Sequence, residues 1–265
     1  MLAYTAVSER QACQLVGICR STYRYQLKRI EKDERLSYRI IELAQQRRRF
    51  GYRRIYALLR REGHEVNHKK VYRLYTEAKL AVKRRKRRKT LVVPRESLML
   101  PTRRNEVWSM DFVMDALASG RRIKILTIVD DCTKESVDLI VDFGISSRYV
   151  TRILDQAARF RGYPKAIRTD QGPEFTGKAL DQWAYENGVE LKLIQAGKPT
   201  QNAFIESFNG KFRDECLNEH WFHSLAHAKA IIREWRRDYN ECRPHSMLGY
   251  KTPVEMAEEL NQHAD

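Results

Sequence analysis

Cysteine is scarce in this 265-residue chain. The five present, Cys13, Cys19, Cys132, Cys216 and Cys242, are odd in number, widely spaced and form no C-x-x-C pair. A disulfide framework is excluded and a reducing compartment is expected. Long apolar runs are missing too. No stretch approaches the ~18 apolar residues of a membrane span, which excludes an integral membrane protein. Met1-Leu2-Ala3-Tyr4-Thr5 puts no charged leader ahead of an apolar stretch, so no secretion signal is expected and the expected location is cytoplasmic. No heptad run suggests a coiled coil. Acid is short in one part only. Residues 1–100 hold 9 Asp and Glu against 27 Lys and Arg, a balance of +18, while the rest hold 25 against 23, a balance of −2. The whole chain carries +16 with 42% hydrophobic residues, enough apolar matter to bury a core. A basic surface confined to the first hundred residues predicts a polyanionic partner, most often nucleic acid.

Metal-ligand patterns of the zinc type are weak. Cys216, His220, His223 and His227 lie close in sequence, but Trp221-Phe222 interrupts them and no paired half-site exists elsewhere, so a helix–loop surface is the better reading. His64 and His68 read as a turn and a helix start.

The basic part reads as helices. Ser8 can cap a short helix carrying Ala12, Leu15 and Val16; Gly17 supplies a turn; Ser21 can cap a second helix with Tyr23, Arg24, Tyr25 and Lys28. That is a helix-turn-helix layout, a short buried helix followed by a polar one able to enter a major groove. Residues 34–48 form an amphipathic helix through Leu36, Ile40, Ile41 and Leu43, ending in Arg47-Arg48-Arg49. Gly51 breaks the chain, Tyr52–Arg61 is helical, Gly63 ends it, and Asn67 caps a last helix with Val71, Leu74 and Tyr75. This pair is a second helix-turn-helix, with Lys69, Lys70 and Arg73 on its later helix. Lys83-Arg84-Arg85-Lys86-Arg87-Arg88-Lys89 follows, seven cations that no packed core accommodates, read as a phosphate-binding linker. Pro94 and Pro101 extend it. The expected organisation is a helical DNA-binding region over 1–90, a linker over 91–104, a core over 105–222 and a helical extension over 223–265.

Beyond the linker the pattern turns to strands at Val107–Met114, Arg122–Val129 and Val137–Phe143. A helix follows at Tyr149–Arg161, a strand at Ala166–Thr169, a helix at Gly177–Asn187, a strand at Val189–Leu193 and a helix at Ala203–Glu215. Leu225–Tyr239 and Pro253–Asn261 are again helical. Three successive strands and then alternation predict a mixed α/β sheet that begins antiparallel and continues by crossovers.

Three carboxylates stand out. Asp111 interrupts the apolar strand Trp108-Ser109-Met110-Asp111-Phe112, a costly place without a partner or metal. Asp170 ends a strand ahead of Gln171-Gly172-Pro173, where ligand sites gather. Glu206 sits on the helix Asn202-Ala203-Phe204-Ile205-Glu206-Ser207-Phe208, after Gly197-Lys198-Pro199, with 35 residues separating it from Asp170. Attack on a phosphodiester needs an activated oxygen and a stabilised leaving oxygen. Two divalent cations about 4 Å apart supply both, and carboxylates from separate elements can hold them. All-oxygen donors favour Mg²⁺ or Mn²⁺ over zinc.

These segments resemble the orfB-type transposases of the insertion-sequence-three family, which carry a retroviral-integrase-like (DDE) catalytic core. The carry-over rests on the Asp111 strand, on Thr169-Asp170-Gln171-Gly172-Pro173-Glu174-Phe175, on the Glu206 helix with its spacing, and on Tyr239-Asn240-Glu241-Cys242-Arg243-Pro244-His245-Ser246 followed by Thr252-Pro253. The resemblance implies an RNase-H-like mixed five-stranded sheet with flanking helices behind an all-α helix-turn-helix region. It implies Asp111, Asp170 and Glu206 as catalytic ligands of two Mg²⁺ or Mn²⁺ ions. Cleavage at transposon ends and 3′-OH strand transfer follow, with no covalent protein intermediate. Arg213 and, in the loop before the glutamate helix, Lys198 become DNA contacts, with Arg243 and His245 weaker ones. Double-stranded DNA, further copies in a synaptic complex and an upstream orfA product are the implied partners, at the bacterial nucleoid. A catalytically silent end-binding regulator is the alternative; a cellular RNase H fits less well, having no use for two helix-turn-helix units.

Overall fold

The computed structural model describes residues 8–24, 30–82, 101–194 and 202–262. The chain divides into two compact units, 1–82 and 83–265.

In the first unit, α1 (Glu9–Val16) starts on a capping box. The Ser8 hydroxyl accepts from the Gln11 N–H, and the Gln11 side chain accepts in return from the Ser8 N–H. Gly17 closes the helix at φ 69°, in the left-handed region that favours glycine, and donates to the Cys13 and Gln14 carbonyls. α2 (Arg20–Tyr23) starts two residues earlier than a Ser21 cap implies. Extended Cys19 is its N-cap, and Ser21 lies inside the helix rather than capping it. The shift lets Arg20 and Arg24 both pair with Glu9 of α1, at 3.0 and 2.8 Å, which ties the two short helices together. α3 (Ile30–Gln46) begins earlier than residue 34 and stops before Arg47, leaving Arg47-Arg48-Arg49 in the turn that follows. α4 (Tyr52–Arg61) and α5 (His68–Glu77) run as the apolar spacing predicts, with the Asn67 side chain accepting from the Lys69 N–H at the start of α5. Leu36, Ile40, Ile55, Leu59, Val71 and Leu74 form their shared core.

The second unit is built on one five-stranded sheet of order β3-β2-β1-β4-β5. Its strands are β1 (Val107–Ala116), β2 (Arg122–Asp130), β3 (Ser136–Asp142), β4 (Ala166–Thr169) and β5 (Glu190–Leu193). β1, β2 and β3 pair antiparallel; β4 and β5 join parallel through crossover helices. Period-two alternation sends side chains to two faces. Trp108, Met110, Leu126, Ile128 and Ile167 pack under α6 (Ser147–Arg161) and α7 (Lys178–Glu186). Val113, Ile123, Ile125, Leu139 and Val141 pack under α8 (Ala203–Glu215) and α9 (Leu225–Glu241). α10 (Pro253–Gln262) packs on α9. The apolar alternation of β1 does not hold to its end: Met114 is exposed. The outer strand β3 is blunted by α9. Asn240 exchanges two hydrogen bonds with the Ser136 backbone, and Arg236 donates to the Ser136 and Val137 carbonyls. These contacts occupy backbone groups that would otherwise template pairing with another strand.

The helical unit carries a testable electrostatic tie. Arg39 of α3 grips Glu62, just after α4, through two bonds of 2.8 and 2.5 Å and holds its carboxyl below the ordinary 4.5. A depressed carboxyl stabilises the fold above its unfolded value and loses that contribution as pH falls through the folded one. Glu62→Gln is expected to cost about 0.5–1 kcal/mol at pH 7. Urea unfolding followed from pH 7 to pH 3 should show the gap to the parent closing below about 4.5; a gap independent of pH would contradict the tie.

Candidate active site

β1 and β4 lie side by side and parallel, with Ser109 opposite Arg168. Two residues further along each strand direction stand Asp111 and Asp170, so the two carboxylates follow the same register on the same face of the sheet. The face is the one under α8, whose first turn carries Glu206. A carboxylate there also meets the positive end of the helix dipole.

Asp111 is half-buried. Its Oδ1 accepts from the Phe112 N–H at 2.7 Å and its Oδ2 from the Asn209 amide at 2.8 Å. The Thr127 hydroxyl, directly across on β2, donates to the Asp111 carbonyl at 3.1 Å. Burial pushes the Asp111 carboxyl above its usual range; the Phe112 and Asn209 donors pull it back, while the charges of Asp170 and Glu206 push it further up. Asp170 and Glu206 are therefore both near enough for their charges to act on Asp111. Asp170 is exposed at the strand end, its Oδ1 accepting from the Gly172 N–H at 3.0 Å in a tight local turn. A Cβ at Gly172 would stand 3.1 Å from that oxygen and 3.6 Å from a Glu174 oxygen, so glycine is what lets the turn close over the carboxylate. Glu174 in turn pairs with Lys124, whose ammonium lies 3.9 Å over the Phe112 ring, itself stacked on Phe175 at 4.9 Å.

Among the described residues none of the three acids has an ion-pair partner, and no three His, Cys, Asp or Glu side chains converge tightly enough to hold one ion together. The three acids are hard oxygen donors whose charge no ion pair balances among the described residues. That donor chemistry fits divalent ions of the Mg²⁺ type better than any soft metal.

Arg213 stands in the last turn of α8, exposed, and reaches the Met114 carbonyl of β1 at 3.3 Å. Arg243 and His245 are buried. Arg243 is 1% exposed and forks onto Glu215 at the end of α8 with two bonds of 2.6 Å. Arg243 and His245 thus lie inside the α8–α9 layer, His245 against the Tyr239 hydroxyl at 3.2 Å. Arg24, Lys70 and Arg73 already hold acids: Arg24 holds Glu9, and Lys70 and Arg73 share Asp33 at 2.5 and 2.6 Å. Lys69 is exposed in the first turn of α5. Lys28, Lys198 and Lys83, Arg84, Arg85, Lys86, Arg87, Arg88 and Lys89 lie outside the described residues. Asn209 was not singled out by sequence. Its position three residues after Glu206, on the same helical face, was the available signal.

The Integrase core domain family matches residues 101–199 and again 187–253, and the HTH-like domain family matches residues 31–88. An uncharacterized 31.7 kDa protein of insertion element IS407 from Burkholderia multivorans is 66% identical over 98% of this chain and 94% of its own length. A 39.2 kDa protein of insertion element IS476 from Xanthomonas euvesicatoria is 57% identical, over 97% of this chain and 74% of its own. The transposase InsD of insertion element IS2D from Escherichia coli is 29% identical over 78% of this chain and 72% of its own. Among solved structures, the simian T-cell lymphotropic virus intasome has a chain that superposes with a TM-score of 0.53 at 14% identity, covering 82% of this chain and 74% of that one, a likeness of fold. The fold is that of the integrase class of proteins. Within that class the chain belongs to the insertion-sequence-three family of insertion-element transposases, with an HTH-like domain ahead of its integrase core.

The strain at Asp111 predicts a trade between stability and activity. A carboxyl raised by burial and like charge destabilises the fold as pH rises through its titration. Asp111→Asn removes that charge, and the Asn209 amide can flip to offer its buried, unpartnered Oδ1 to the new amide. The variant is expected to be more stable at pH 7 by about 0.5–1 kcal/mol, seen as a melting midpoint ~1–4 °C higher without added metal. The difference should vanish below 3.8, the ordinary aspartate value. A lower midpoint at pH 7 would sink this account.

Proposed function

We propose that Asp111, Asp170 and Glu206 form the catalytic site of a DNA transposase that cuts one strand at each transposon end and joins the freed 3′-OH to a second phosphodiester. The observation that carries this is the half-buried Asp111, set by the β1–β4 register on one sheet face with Asp170 and joined by Asn209 to the helix of Glu206, none of the three acids having an ion-pair partner among the described residues. The oxygens of Asp111, Asp170 and Glu206 would hold two Mg²⁺ or Mn²⁺ ions, whose chemistry when bound would be Lewis-acid activation of phosphodiester attack. The chain's own residues do the rest. The Asn209 amide and the Phe112 N–H fix both Asp111 oxygens in place and favour its ionised form. Gly172 holds Asp170 at the strand end. Arg213, on the same side of α8 as Glu206, offers a guanidinium to a DNA phosphate beside the site.

In this reading residues 1–90 bind end DNA through the helix-turn-helix pairs, with Lys69, Lys70, Arg73, Arg24 and Lys28 toward phosphates. The cationic run Lys83–Lys89 and Lys198 add electrostatic grip, residues 91–104 act as linker, 105–222 catalyse and 223–265 brace the core. Function requires several copies on paired DNA ends, with an upstream orfA product as a further partner, in the bacterial cytoplasm at the nucleoid. Among the described residues no helix is long and apolar enough to cross a membrane.

Purified chain with a labelled transposon-end duplex and Mg²⁺ is expected to release a nicked strand ending in 3′-OH. Asp170→Asn should lower the rate about 10³-fold, the several kcal/mol expected of lost metal-assisted stabilisation, while end binding in a gel-shift assay persists. Undiminished cleavage by Asp170→Asn would refute the assigned site. End binding with no metal-dependent cutting by the parent, even with the orfA product added, would support the silent regulator instead.

A further inference from the structure

The turn after β2 gathers an unusual set of buried polar groups. Asp131 is 0% exposed. Its Oδ2 accepts from the Ser109 hydroxyl at 2.9 Å and from the Arg168 guanidinium at 2.7 Å. Its N–H donates to the Val107 carbonyl at 2.9 Å, and its own carbonyl accepts from the ammonium of Lys134. Lys134 is itself buried, in left-handed backbone at φ 61°, and its ammonium stands 3.7 Å from the centre of the Phe204 ring.

The partners follow a pattern. Ser109 precedes Asp111 by two residues on β1. Arg168 precedes Asp170 by two on β4. Phe204 precedes Glu206 by two at the start of α8. Ser109 and Arg168 are also cross-strand partners, so Asp131 clamps the last rung of the β1–β4 ladder, two residues before each aspartate. A slip of one residue along β4 would turn Asp170 to the opposite face. Lys134 extends the same turn to the helix that presents Glu206.

Stability alone is a poor reason for this arrangement. A buried carboxylate must recover its lost hydration from its partners, and apolar residues of similar volume often serve stability as well or better. Here the recovery is incomplete, because Asp131 Oδ1 is buried with no hydrogen-bond partner, the kind of group that calls for a role of its own. Burial pushes the Asp131 carboxyl up to about 6 against the pull of Ser109 and Arg168.

We infer that Asp131, with Lys134, is a positioning residue that sets the mutual placement of Asp111, Asp170 and Glu206 for metal binding, without touching metal or DNA itself. The inference rests on the reading of those three as the metal site. Residues that orient metal ligands typically shift metal affinity or turnover by about 10–100-fold when replaced.

The test uses the full chain, with Mn²⁺ as the probe. Mn²⁺ binding is read directly by electron paramagnetic resonance of the free ion, and cleavage of the end duplex gives kcat and KM. Asp131→Asn is expected to weaken Mn²⁺ binding and lower kcat by about 10–100-fold, with KM for DNA unchanged within about twofold. Lys134→Met, which keeps contact with Phe204 but removes the ammonium, should weaken binding in the same direction. Folded Asp131→Asn protein that binds Mn²⁺ and turns over like the parent would overturn the inference. If Asp131→Asn fails to fold, Ser109→Ala decides, since it removes one tie and leaves the charge. Weaker Mn²⁺ binding with an unchanged melting midpoint supports positioning, and parental Mn²⁺ binding overturns it. Asp170→Asn is the reference: if it binds Mn²⁺ as the parent does, the reading of the metal site is what fails.

Discussion

The parallel pairing of β1 with β4 is the constraint on which the site depends. It puts Ser109 beside Arg168 and carries Asp111 and Asp170 to corresponding places on one face, two like charges that solution chemistry would keep apart. A sheet can impose such a meeting because its register is fixed by many apolar contacts at once. Trp108, Met110 and Ile167, all fully buried, lock the opposite face under α6 and α7. Repulsion between two half-solvated carboxylates amounts to a few kcal/mol at an effective dielectric near 20. That is small beside the burial that fixes the strands, at about 1.5–3 kcal/mol for each large side chain. The core wins, and the Asp111 carboxyl is pushed up first by its burial and further by the charge of Asp170.

Glu206 reaches the same place by a different route. Its helix lies across the sheet on Ile205, Phe208 and Phe212, three buried residues at helical spacing, so Glu206 and Asn209 share the face turned toward Asp111. Beyond the helix, Arg243 on Glu215 fixes the end of α8, and α9 fastens the layer to the edge strand β3. The three acids are thus carried by elements whose packing has no part in the chemistry.

Much of this was legible in the sequence. The spans of the five strands and of α4 through α10 follow from apolar periodicity and end signals such as Asn67 and Gly162-Tyr163-Pro164. The three acids stood out because each violated its local context: an aspartate in an apolar strand, another before a glycine turn, a glutamate on a helix after a loop. What stayed hidden are groups whose meaning lies in contacts across sequence. Asp131 sits in Asp130-Asp131-Cys132-Thr133, which reads as an ordinary polar turn; its partners are 22 and 37 residues away. The left-handed backbone of Lys134 has no glycine or asparagine to announce it. The start of α2 was misjudged because serine is the better cap by propensity, whereas the ion pairs of Glu9 with Arg20 and Arg24 decide the outcome. Nothing in its motif announces that Arg243 is buried, since its partner Glu215 is 28 residues away.

The charge asymmetry also takes a sharper meaning from the structure. An excess of +18 over residues 1–100 suggests a surface bristling with free cations, yet Arg24, Arg39, Lys70 and Arg73 each hold a carboxylate of the same unit. Pairs of this kind are worth about 0.2–1 kcal/mol where exposed. A phosphate backbone, with one charge per ~1.7 Å of duplex, competes readily for such guanidiniums and ammoniums. The acids Glu9 and Asp33 therefore hold cations in defined positions at little energetic cost to their transfer, and the unit's net positive field comes from the excess cations rather than from the paired ones. At the candidate site of the second unit the sign is opposite: among the described residues Asp111, Asp170 and Glu206 have no ion-pair partner, and the counter-charge they lack is of the kind a divalent ion supplies.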